Sequence, residues 1–162
     1  MKQIFEQYAS YNVWANQKMI DGILLLPEET SRQTVGSSFS SLQLTLLHMW
    51  NTESTWWQRL KLLETTQPVA DAEVATREIA AGLIGQSLQW LAWVQKSNEP
   101  ALMHEFIYRN SKKQQFKQPV YEMLLHLFNH ATYHRGQLIT ILRELGVTTI
   151  PNTDFIAFSR GK

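Results

Sequence analysis

Five histidines and no cysteine set the metal chemistry open to this chain. Without thiolates, a tightly held transition metal must be bound by imidazole, carboxylate or water. A disulfide framework is excluded for the same reason. Three of the histidines fall in one stretch, "HLFNHATYHRGQ" at 126–137, as His126, His130 and His134. On a helix a spacing of four keeps imidazoles on one side, and an i,i+4 pair is a ready clamp for one ion. All three cannot serve the same ion. His126 and His134 would differ in height by about 12 Å, whereas ligands at metal–nitrogen lengths of about 2.0–2.1 Å lie within a few ångströms of one another. The site therefore takes one adjacent pair and a donor from elsewhere. The candidates are His48 and His104, with carboxylates such as Glu53 behind them.

Angle favours one pair. At about 100° per residue, Val120, Met123, Leu127, Leu138, Ile141 and Leu145 fall within about 40° of His134. His130 lies inside that arc, while His126 is about 80° away. The pair thus points into an apolar face, where an unsatisfied polar group costs roughly 1–3 kcal/mol. Either each imidazole finds a hydrogen-bond partner in a tight core or the two clamp a metal, and spacing leaves both open. His48, in "LLHMWNTESTWW", leaves its own apolar arc and joins Leu44, Thr45, Thr52 and Thr55. That company suits an exposed surface or the wall of a wet cavity. His104 falls in an irregular stretch, a poor place to hold a ligand rigidly.

Four segments at helical period must position these residues. The first runs from about Lys2 to Leu26 through Ile4, Tyr8, Tyr11, Ala15 and Met19, and Pro27 ends it. The second opens near Ser40–Ser41, whose hydroxyls can cap free amides. It carries Leu42, Leu46, Met49, Trp56 and Leu60 on one arc. Asp71 is the expected cap of a third helix reaching about Lys96. Residues 100–118 break the period and read as an irregular or short β-like crossover. Pro119 suits the first turn of a fourth helix, which runs to about Leu145 with Gly146 as its stop. Ile150, Phe155, Ile156 and Phe158 of the tail are expected to pack back. The fold class is all-α: a four-helix bundle with a long crossover between helices 3 and 4.

Composition bounds the rest. A chain of 162 residues, 44% hydrophobic and 18% charged, is expected to form one globular domain over 1–162. Its net charge of +1 gives no field towards nucleic acid. Arg109, Lys112, Lys113 and Lys117 stand between aromatics in "YRNSKKQQFK", but read as a solvated turn. No apolar run approaches the roughly 20 residues of a membrane span, and the N-terminus is no signal peptide, so a cytoplasmic protein is expected. Six tryptophans and an apolar excess suggest a homodimer.

"HLFNHATYHRGQ" closely resembles the signature of the DinB/YfiT-like metalloenzyme family, named for DNA-damage-inducible proteins and unrelated to the polymerase that shares the name. "YNVWANQKMI", "LLHMWNTESTWW" and "PNTDFIAF" resemble the same family in the same order, across almost the whole chain. The resemblance implies a four-helix bundle holding a divalent metal with three histidines: His48 from the second helix, and His130 and His134 from the fourth. It leaves His126 a nearby or structural role. Arg135 and Gln137 belong to the signature, and Arg135, about 100° from His134, should leave the metal face and pair elsewhere.

Three neutral imidazoles leave a divalent ion its full charge and an open position, as in catalytic sites. Zinc and nickel are the first candidates, with iron behind them. The resemblance implies an enzyme using a low-molecular-weight thiol, a thiol S-transferase or a related, hydrolase-like activity. The alternative is a non-catalytic, metal-binding stress-response protein. Tyr11, Trp14, Trp50 and Trp57 are candidates to shape the pocket or simply to fill the core.

Overall fold

The computed structural model describes residues 1–161. Within them four long helices pack as a bundle: α1 (Lys2–Ile23), α3 (Leu42–Leu60), α4 (Thr76–Lys96) and α6 (Val120–Glu144). Around these lie the short helices α2 (Glu28–Arg32), α5 (Glu99–Met103) and α7 (Phe155–Arg160). The strands β1 (Glu105–Arg109) and β2 (Gln115–Pro119) form an antiparallel hairpin, with Ile107 opposite Lys117. Helix α1 packs on α4 and α6, and so does α3, so α1 faces α3 across the bundle.

The apolar stripes bury as their spacing requires. Met19, Ile20 and Ile23 of α1 meet Leu42, Leu46 and Met49 of α3, Ile79 and Leu83 of α4, and Leu138 and Leu142 of α6. A second apolar cluster gathers Phe5, Trp56, Trp90, Leu124 and Phe128 at the other end. Between the two clusters each long helix contributes buried polar residues: Asn12 and Asn16, Glu53, Ser87, and Arg135.

Local signals set most boundaries. Ser41 caps α3 by accepting from the Leu44 amide at 3.1 Å. Helix α6 ends in a Schellman motif, with Gly146 at φ +81°, its amide on Arg143 O at 3.0 Å and Val147's on Leu142 O at 2.9 Å. Helix α1 stops at Ile23, short of the expected Leu26, and a turn closed by the Leu26 amide on Ile23 O at 3.0 Å leads to Pro27.

Two expectations fail. Helix α4 begins at Thr76, and Asp71 does not cap it: its carboxylate accepts from the Glu73 amide instead. The capping oxygen comes from α2, where Glu28 Oε1 accepts from both the amide and the hydroxyl of Thr76 at 3.0 Å. Pro119 stands just before the first turn of α6, as its cap residue and the last of β2.

The crossover from α4 to α6 is longer than a turn and partly ordered into α5 and the hairpin. Asn98 caps α5 through its side-chain oxygen at 2.9 Å from Ala101 N. The tail packs back through Ile150, Phe155 and Phe158, while Ile156 stays exposed. Phe155 and Phe158 lie 5.1 and 5.8 Å from the Tyr11 ring, whose hydroxyl donates to Thr153 O at 2.8 Å. Among the described residues no helix is long and apolar enough to cross a membrane.

Candidate metal centre

Facing turns of α3 and α6 bring His48, His130 and His134 together. His130 Nε2 lies 3.2 Å from His48 Nε2 and 3.0 Å from His134 Nε2. All three ligand atoms fall within 4.8 Å of one another. Nitrogens on a tetrahedral ion at about 2.0–2.1 Å would be about 3.3 Å apart, so the spacing fits a small divalent ion. Phe39, from the loop before α3, stacks on the His48 ring at 4.1 Å and holds its plane.

Protons alone satisfy this cluster badly. His134 Nδ1 lies 2.7 Å from the side-chain oxygen of Gln137, which can only accept. The proton is therefore on Nδ1, and His134 Nε2 presents a lone pair to the cluster. Gln137 Nε2 meanwhile donates to Ser38 Oγ and Tyr133 Oη. With His134 a pure acceptor, His130 Nε2 can be donor or acceptor but not both. At most one of its two short contacts is then a full hydrogen bond. A cation placed among the three lone pairs would satisfy all of them.

Electrostatics keep these imidazoles neutral. Burial first, then the neighbouring His134, push His48 down to about 4. Burial, followed by His134, His48 and His126, pushes His130 down to about 3. His134 is lowered by burial as well, against the Gln137 contact, which raises it. Neutral imidazole is the form that ligates metal.

The other sequence candidates lie elsewhere. His104 is exposed at the end of α5, outside the cluster. His126 stands one turn before His130, its ring 5.3 Å from Trp56 and 5.8 Å from His130. Glu53 does not converge on the histidines; it belongs to the buried polar layer. Asn12 Nδ2 donates to Glu53 Oε1 at 3.0 Å and the Ser87 hydroxyl reaches both carboxylate oxygens. Arg135 leaves the histidine face as expected. Its Nη1 donates to the side-chain oxygens of Asn12 and Asn16 at 2.8 Å, and its Nη2 to Thr132 Oγ1. Each asparagine thus stands between guanidinium and carboxylate, accepting from one and donating to the other. Burial pushes the Glu53 carboxyl up to about 7, against these donors and Arg135.

Of the three histidines, His48 lines a cavity of about 370 Å³ bounded also by Thr52, Thr55, Trp56, Arg59 and Thr66. Its outer wall, residues 66–68, is tied to α3 by two amide side chains seven residues apart. Gln58 exchanges two hydrogen bonds with the backbone of Gln67, and Asn51 pairs with Val69 N and Ala70 O. Tyr11, Trp14, Trp50 and Trp57 do not line this cavity; Trp56 is its aromatic residue. Sequence reasoning missed Phe39 and Arg59. It also missed the asparagines, although Asn12, seven residues before Met19, already lay on the apolar arc of α1.

Comparison with known proteins agrees with this architecture. The chain is 29% identical over 153 residues to Protein DinB of Bacillus subtilis (strain 168), covering 90% of this chain and 87% of that one. A crystal structure of a DinB-like protein from Bacillus cereus ATCC 10987 superposes with a TM-score of 0.70 at 21% identity, covering 91% of this chain and 94% of that one. The DinB family profile matches residues 1–162, and the chain belongs to the DinB family.

Proposed function

We propose that this protein is a divalent-metal enzyme with His48, His130 and His134 as its ligands, acting on a small molecule through a low-molecular-weight thiol. One observation carries the reading: three imidazole Nε2 atoms converge beside a cavity that His48 lines. A divalent ion held by three neutral imidazoles would acidify a thiol or water brought to it. The chain's own residues do the rest. Gln137 fixes the tautomer of His134, and Phe39 fixes the plane of His48. Thr52, whose hydroxyl lies 3.5 Å from His48 Nε2, supplies a polar contact beside the cluster. No cysteine is present to act as a protein nucleophile, and in this reading a thiol brought to the metal takes that role. Zinc and nickel suit three imidazoles best, with iron as a further candidate.

The experiment is thiol consumption by the metal-loaded protein in the presence of a small electrophile, with His134→Ala as comparison. Metal-dependent consumption that disappears in the variant supports the enzyme. If no metal form consumes thiol, and metal removal unfolds the bundle, the metal is structural and the stress-response reading takes its place.

A further inference from the structure

Arg59 is a cation without a partner. None of the ion pairs among the described residues includes it, and its Nε is buried with no hydrogen-bond partner. Yet its guanidinium is held in place, 4.5 Å over the Trp56 ring and 5.3 Å from the Tyr108 ring. Burial lowers its pKa, which marks a charge partly stripped of water. A half-buried guanidinium fixed between aromatic rings, with no carboxylate at ion-pair distance among the described residues, is arranged to receive an anion from outside the chain.

Its position says which anion. His48, Thr52, Thr55 and Arg59 succeed one another on α3 at spacings of four, three and four, a single face of the helix. Their backbones span about 16 Å, and helical side chains lean towards the N-terminus, so the guanidinium reaches back towards His48. One cavity, about 370 Å³, touches both ends of this row. Beyond Arg59 the surface continues into a larger hollow of about 850 Å³, which carries Arg109 and Lys113 against the single carboxylate of Glu64.

We propose that Arg59 binds the carboxylate or phosphate of a ligand whose other end lies at the three-histidine cluster. The inference rests on the metal reading for that near end only. The ligand is a polar, elongated small molecule. Its anion pairs with the Arg59 fork, and its middle passes the hydroxyls of Thr52, Thr55 and Thr66. A compact apolar electrophile would leave those groups unpaired.

Matched thiols test this on the intact, cobalt-loaded chain. Glutathione is compared with its diethyl ester, and phosphopantetheine with pantetheine, through the thiolate-to-cobalt absorption band. Tryptophan fluorescence follows the same titrations in metal-free protein. In at least one pair the anionic member should bind about tenfold tighter than its neutral partner. Arg59→Gln should abolish that preference and Arg59→Lys should keep part of it. The pair that responds identifies carboxylate or phosphate. Cysteamine, which has a thiol and no anion, should bind cobalt-loaded wild type and Arg59→Gln alike. No preference in either pair, or a preference that survives Arg59→Gln, overturns the proposal. Failure of every thiol to produce a cobalt band sinks the metal reading instead, and the fluorescence titrations still decide the anion site.

Discussion

His134 Nδ1 donates to the side-chain oxygen of Gln137 at 2.7 Å, and this contact within α6 turns the other ring nitrogen, as a lone pair, towards His130. An outer partner of this kind fixes the tautomer and orientation of a metal-binding histidine. Gln137→Ala should weaken metal affinity about 10–100-fold while leaving the fold intact. Competition with a chromophoric chelator measures it. Unchanged affinity would show that His134 is oriented by the bundle alone.

The cluster and Glu53 should pull stability in opposite directions with pH. His48 and His130 sit at about 4 and about 3 in the folded chain against an ordinary 6.5. Unfolded chains therefore bind more protons, and the histidine contribution, complete above about 6.5, is lost as pH falls through the folded values. Glu53 is raised to about 7 from 4.5, so its contribution is complete below 4.5 and is lost as pH rises through about 7. Metal-free wild type should show the two partly cancelling between these limits. Metal-free Glu53→Gln should lose melting temperature more steeply on acidification from neutral pH. Identical pH profiles would contradict the assignment.

Removing Arg135 should damage the fold rather than the cluster. It holds Asn12, Asn16 and Thr132, and its loss would leave Glu53 buried without its counter-charge. Arg135→Ala should cost about 3 kcal/mol in urea unfolding, since a buried charge network is broken on one side. Metal stoichiometry of the remaining folded protein should not change. Lost stoichiometry at unchanged stability would assign Arg135 to the site.

Two glycines on α4 separate packing from propensity. A Cβ at Gly82 would fall inside the contact distance of the Trp50 indole, whereas one at Gly85 meets nothing. Gly82→Ala should destabilise by about 1–3 kcal/mol through overpacking. Gly85→Ala should stabilise by about 0.5–1 kcal/mol through helix propensity. Thermal melts of the two variants give the signs directly.

Local signals were legible in the sequence and distant ones were not. Ser41 and Gly146 act within a few residues of themselves, so both helix ends read correctly. Glu28 caps α4 from 48 residues away, and no reading of the "ADAE" segment could reveal it. Rotation along α6 placed His130 and His134 on one face and sent Arg135 off it. The third histidine was different: angle left His48 between solvent and cavity, and only the family resemblance chose it. Phe39, which stacks on its ring, sits in a serine-rich loop with no periodicity. Arg59 was silent because a lone arginine late in a helix reads as a solvated charge until its missing partner can be seen.

The metal content of the protein tests the central claim most directly. Elemental analysis after purification without added metal should find about one divalent ion per chain in wild type and in His104→Ala and His126→Ala. His48→Ala, His130→Ala and His134→Ala should each lose most of it. Equal metal content in wild type and these three variants would contradict the three-histidine site.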